Sequence, residues 1–125
     1  MNQKNKIILQ IITPYGTVFS DYIHNLSCCG IFGSFEILPF HENYATLPKI
    51  SVLFTNNNKK LIPIGFIGNS CLRFLSNSNC CYFTTEKFIC FSQLKTYNKN
   101  KILNCINISH NREDKAFYSF ILNHI

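Results

Sequence analysis

The 125-residue chain has no tryptophan, two alanines, two arginines and only six acidic residues. With Asp21, Glu36, Glu42, Glu86, Glu113 and Asp114 so thinly spread, neither a paired-carboxylate site nor a Ser-His-Asp set can be assembled. Acid–base catalysis, or metal binding, by His41 is therefore a weaker reading than a structural or interface role. There is no C-x-x-C either: the seven cysteines fall at 28, 29, 71, 80, 81, 90 and 105, whereas zinc sites space their ligands by two to four residues. An odd count without a secretory leader argues against a disulfide framework and for a reducing compartment. The cysteines read as core filler, Cys90 between Ile89 and Phe91 in particular. No nucleophile motif surrounds either adjacent pair, so a thiol enzyme using His24 or His41 is the weakest reading. No apolar run approaches the length of a spanning helix. The opening "MNQKNKIILQIITP" is basic and then apolar, but Gln10 interrupts it and Pro14-Tyr15-Gly16 turns the chain with no small-residue cleavage site. A soluble or peripheral protein without direct membrane insertion is expected.

What is abundant is isoleucine (17), asparagine (16), phenylalanine (12) and lysine (10), a skew that follows AT-rich codons rather than chemistry. The same bias underlies the net charge of +6, whose lysines are scattered with Lys59-Lys60 as the tightest cluster. The basic balance and the many Phe and Tyr residues support one alternative, a small β-barrel module binding nucleic acid. At this length the chain fills a single core.

Its first ninety residues read as short strands between turns. Lys6 to Thr13 is β-branched and apolar, as in a strand packed on both faces, and Pro14-Tyr15-Gly16 starts a hairpin whose returning strands are Thr17–Phe19 and Tyr22–Leu26. Ser34 to Ile37 alternates with period two until Pro39, which has no N–H to donate. "ISVLF" and "KLIPIGFIG" flank a Thr55–Asn58 loop, with Pro63 placing the second run at an edge or bulge. "CLRFL" and "CCYFT" flank Ser76–Asn79, and "CYFTTEKFICF" reads as a tight hairpin turning at Thr84 to Lys87. The expected class is all-β, an antiparallel sandwich of about ten short strands with a short C-terminal helical tail. Residues 1–92 form the sandwich and 93–125 a connecting segment and tail.

In that tail, Ser92 to Asn100 connects and "KILNCINI" reads as one more strand. From Asn111 the pattern changes. Asn111 caps a helix, Asp114 occupies its third position, and Ala116, Phe117, Phe120, Ile121 and His124 share one face. A helix this short needs something to dock on.

The order of several weak signals carries more than any one of them. Thr13-Pro14, then Val18-Phe19, Ile23 and Leu26, then Gly30 and Gly33 before Phe35, and finally Ile37-Leu38-Pro39 and His41 resemble the opening of the epsilon subunit of F-type ATP synthase, called delta in mitochondria. "NCCYFTTEKFICFSQ" is similar to a later segment of that family through Phe83 and the alternation of Phe88 and Cys90. The resemblance spans residues 7 to 92. Phe40 stands where the family has glycine in a Gly-His-Ala-Pro corner, and Cys80-Cys81 where it has Gly-Gly, so any positive φ there would carry a Cβ penalty.

The resemblance implies a non-catalytic rotor subunit that binds the gamma subunit and rests on the c-ring, coupling proton translocation to ATP synthesis. It implies no catalytic residue, cofactor, metal or nucleic acid. It also implies a peripheral position on the inner (cytoplasmic, matrix or stromal) face of an energy-transducing membrane, the bacterial inner membrane foremost. The stretch Gly33, Ser34, Phe35, Pro39 and His41 becomes the rotor-interface loop, with His41 shaping a corner. Only about fifteen residues of the tail read as helical, and Arg112 to Lys115 lacks the family's ATP-binding motif. The regulatory helical hairpin is therefore expected to be absent or reduced.

Overall fold

The structure is a computed structural model and describes residues 6–30, 33–57, 60–109 and 111–124. Ten strands build two five-stranded sheets. The first sheet runs β2 (Gly16–Ile23), β1 (Ile7–Thr13), β9 (Cys80–Thr85), β8 (Ser70–Leu75), β5 (Tyr44–Thr46). The second runs β10 (Phe88–Cys90), β7 (Lys60–Ile67), β6 (Ser51–Asn57), β3 (Leu26–Gly30), β4 (Gly33–Ile37). Strand alternation sends every second side chain inward: Ile7, Leu9 and Ile11 of β1, Phe74 of β8 and Phe83 of β9 meet Leu26 of β3 and Leu53 of β6. The expected sandwich is present, with one pair that is not antiparallel. Strands β1 and β9 run parallel, Ile8 opposite Cys80 through Ile12 opposite Thr84.

The two returning strands expected after Pro14 are one, β2, with a register shift opposite Ile11 and Ile12 that absorbs the break. Leu26 already belongs to the other sheet. The crossing at Asn25 is buried, and its side chain accepts from Asn56 N–H at 2.6 Å. Nor do β9 and β10 form a hairpin, because they lie in different sheets. The Thr85 hydroxyl lies within hydrogen-bond distance of the Asn69 and Lys87 carbonyls and accepts from Lys87 N–H, while Gly68 N–H donates to Lys87 O, so the chain changes sheets instead of turning back. β1 is not packed on both faces equally; Ile8, Gln10 and Ile12 on its outer side are half-buried.

Pro63 sits where it was expected. β10 covers only Gly65 to Ile67 of β7, which leaves Pro63 without a neighbour on that side, and the β6–β7 register shifts just beside it. The close approach of β10 requires Gly65: a Cβ there would stand 2.5 Å from Ile89 O. Of the expected Thr55–Asn58 loop, Thr55, Asn56 and Asn57 instead belong to β6, pairing with Ile62, Leu61 and Lys60, so the turn is tighter than expected; Asn58 and Lys59 lie outside the described residues.

"KILNCINI" is a helix rather than a strand: α1 (Lys99–Ile108), after a 3-10 turn at Phe91–Thr96. Asn98 caps it, accepting from Lys101 N–H at 2.8 Å. Helix α2 (Arg112–Leu122) begins as expected, with Asn111 accepting from Asp114 N–H at 2.7 Å. The tail is thus a short two-helix unit, one helix more than the sequence suggests. Its Ile102, Phe117 and Ile121 pack on Val52, Phe66 and Ile89 of the second sheet and on Ile50 just before β6, forming a second apolar cluster. Helix, sheet and sheet stack as three layers. Of the cysteines, Cys28, Cys80 and Cys81 are buried; Cys90 is only half-buried and Cys71 is exposed, and all seven are free.

Candidate docking surfaces

Of the five residues expected to form one loop, Gly33, Ser34 and Phe35 lie on β4, while Pro39 and His41 follow its far end; the rings of Phe35 and His41 both meet Tyr44. Gly33 opens β4 opposite Gly30, and its φ of 133° suits only glycine. The hairpin tip between them lies outside the described residues. Ser34 is exposed and Phe35 half-buried, its ring 6.0 Å from Tyr44. The strand then runs on to Ile37, roughly 13 Å away at about 3.3 Å per residue. Pro39 and His41 lie past that far end, beside the β8–β9 turn.

At that corner the polar groups are consumed internally. Phe40 holds a φ of 66° and its N–H donates to the Asn79 side chain at 2.7 Å; Asn79 itself has a φ of 49°. Asn43 accepts from Ser76 N–H at 2.8 Å and from its hydroxyl at 2.9 Å. His41 Nδ1 lies 2.8 Å from the Glu42 carbonyl, which requires Nδ1 to carry the proton. Its ring stands edge-on to Tyr44 and Phe74, centroids 5.7 and 5.9 Å apart. His41 is therefore a packed corner residue. Phe40, which stands where the resembled family has glycine, adopts a left-handed conformation. The strain anticipated at Cys80-Cys81 falls one residue earlier, on Asn79, a type that tolerates it.

The two broad faces differ. Helices cover the second sheet. Among the described residues no helix lies on the outer face of the first sheet, which carries the cross-strand rows Ile8–Cys80–Leu75 and Gln10–Tyr82–Arg73–Ala45; Cys80 is buried there, and Arg73 is the one charged side chain of these rows. The other described cations are scattered: Lys6 before β1, Lys49 before β6, Lys60 on β7, Lys87 before β10, Lys99 and Lys101 on α1, Arg112 and Lys115 on α2. No basic and aromatic face gathers among them. Among the described residues, no three His, Cys, Asp or Glu side chains stand close enough to hold a metal, and no helix is long and apolar enough to cross a membrane.

Sequence reasoning missed Phe40, Tyr44 and Asn79 as the parts that fix the corner. A positive φ on a non-glycine residue has no local signature beyond the asparagine itself.

The fold defines a class: a two-sheet sandwich with a docked helical pair. The comparisons fall within that class. No protein-family model matches the chain. It is similar to the ATP synthase epsilon chain of Campylobacter curvus (strain 525.92), 34% identical over 56 residues, 45% of this chain and 43% of that protein. The match thus spans less than half of the relative's length. In structure it is similar to a chain of the Euglena gracilis mitochondrial ATP synthase (OSCP/F1/c-ring), with TM-score 0.61 at 13% identity over 98% of this chain and 78% of the other. A chain of the Tetrahymena thermophila mitochondrial ATP synthase central stalk and c-ring gives TM-score 0.50 at 13% identity, over 98% and 92%. At that identity the structural likeness is one of fold. The resemblance to the epsilon subunit of ATP synthase, delta in mitochondria, is borne out by both comparisons.

Proposed function

We propose that this chain is a non-catalytic rotor subunit of the F-type ATP synthase central stalk, linking the gamma subunit to the c-ring and peripheral to an energy-transducing membrane. The observation that carries it is the likeness of 98% of the chain, helical pair included, to ATP synthase chains, joined to the 34% identity with an epsilon chain. Torque transfer asks for a stiff body with extended contacts, and a close-packed sandwich yields little under load. The open face of the first sheet is the surface we assign to gamma, because it is broad, nearly uncharged and left uncovered by the tail. The Gly33–Ser34 end is the surface we assign to the ring. Its side chains are exposed, whereas Pro39 and His41 belong to a corner whose polar groups already have partners.

Co-expression with gamma and c subunits of the same genome, followed by size exclusion, tests this reading. A stoichiometric complex is expected. A chain that elutes alone but shifts with RNA, losing the shift as salt rises, would replace it with the nucleic-acid reading.

A further inference from the structure

The cross-strand rows on the outer face of the first sheet hold one charged side chain. Arg73, on β8, stands opposite Tyr82 on β9 and Ala45 on β5, with Cys71 and Leu75 two residues away along its own strand. Its row continues through Gln10 to Ser20, and the rows on either side are Ile8–Cys80–Leu75 and Ile12–Thr84–Cys71. All of these neighbours are apolar or neutral polar types. Arg73 is exposed, and it forms no hydrogen bond or ion pair among the described residues.

The residue type is a second observation. Of the twelve cations, all but two are lysine, the type that the composition favours. Lysine brings a hydrated point charge on a flexible stem, whereas arginine brings a planar fork of N–H donors that matches a carboxylate through two parallel bonds. An arginine at this place, against the skew, fits recognition better than solubility. The face also has the scale of a protein contact. Strands about 4.8 Å apart and residues about 3.3 Å along each give it roughly 20 by 20 Å in projection, about half of the ~800 Å² that one partner of a standard interface buries.

A partner lying on these rows takes the guanidinium out of water, which destabilises the complex unless an opposite charge meets it. Paired, the same group becomes a source of specificity. We propose that Arg73 is the specificity-determining residue of this face, and that it selects a protein surface carrying one Asp or Glu carboxylate in an otherwise apolar patch. The carboxylate accepts from both prongs of the fork, while Tyr82, Cys71 and Leu75 surround the pair and exclude water from it. A nucleic-acid backbone also offers anions to arginine, but it binds through several cations together, and the described lysines are scattered. The inference rests on the docking role above for the identity of the partner, and adds the chemistry by which the face selects one.

The test measures the affinity of the full chain for the gamma and c-ring assembly of the same genome, in wild type and in variants whose thermal midpoints match within about 2 °C. Arg73→Ala is expected to weaken binding about tenfold or more. Arg73→Lys should weaken it about threefold or more, because lysine keeps the charge and loses the fork. Lys115→Ala removes an equal charge from α2 and is expected to change the affinity less than about twofold. Arg73→Glu should abolish binding, and replacing one acidic residue of gamma by lysine should restore it. The docking role stands and the proposal falls if wild type binds while Arg73→Ala stays within about twofold of it, if Arg73→Lys matches wild type, or if no reversal on gamma rescues Arg73→Glu. A wild type that fails to bind overturns both, and Arg73-dependent binding of RNA in its place would assign the charge to phosphate instead.

Discussion

Phe40 shows how a single position can depart from a family pattern and still keep its backbone. It occupies the left-handed region, where a Cβ costs about 1–2 kcal/mol, and its side chain is 66% exposed, so little burial compensates. Phe40→Gly is expected to raise stability by about 1 kcal/mol, read from the urea midpoint; a loss would mean that the ring packs in a way its exposure does not suggest. Buried thiols supply a pH signature. Burial first, then neighbouring cysteines, pushes the Cys81 thiol well above the usual value of 9.0. Burial raises Cys28 likewise, partly offset by a hydrogen bond with Ser51. Because the folded state holds these thiols neutral, their contribution is complete below about pH 9 and falls as pH rises beyond it, where only the unfolded chain ionises freely. Urea midpoints should therefore drop between pH 8 and pH 10, and Cys81→Ala should flatten that drop. A midpoint equally steep in the variant would place the alkaline loss elsewhere. Iodoacetamide at neutral pH should label the exposed Cys71 before Cys28 or Cys81.

At the scale of elements, the tail illustrates how much a short helix owes to its platform. Helices of 10 and 11 residues are marginal alone; here Phe117 and Ile121 are buried against the second sheet, and Phe66 meets the Phe120 ring at 6.0 Å. Phe117→Ala is expected to cost about 3–5 kcal/mol and to reduce the helical circular dichroism before the sheet unfolds. A cost below about 1 kcal/mol would show that the helices add little to the fold. Asn111→Ala removes the cap that receives Asp114 N–H and should cost about 1 kcal/mol. The expectation of a strand at "KILNCINI" failed for a specific reason. Its isoleucines, raised by base composition, read as β-branched strand formers, while the decisive contact is Ile102 on the outer face of a sheet formed dozens of residues earlier.

For the whole molecule, the asymmetry of the two faces organises the docking proposal. Tyr82→Asp puts a charge in the middle of the open face without touching the core, so it should abolish co-elution with gamma while leaving the thermal midpoint within about 2 °C. Ser34→Glu should weaken the ring contact, and His41→Ala should act mainly on stability through Tyr44 and Phe74. If His41→Ala releases the ring while Ser34→Glu does not, the two ends have exchanged roles.

The alternation of apolar residues, the turn residues and the capping asparagine are local properties, and the sequence by itself determined strand-rich architecture, the positions of most turns and the start of α2. The order of weak motifs also carried the family resemblance. Tertiary structure alone decided which sheet each strand enters: alternation says that one face is buried, but not against what. The parallel pairing of β1 with β9 depends on contacts across some seventy residues, and the sheet change between β9 and β10 on the pairing of β10 with β7, some twenty residues earlier. The candidate site shared that fate. Gly33 and His41 are eight positions apart in sequence, and the extended length of β4 puts them beyond opposite ends of that strand.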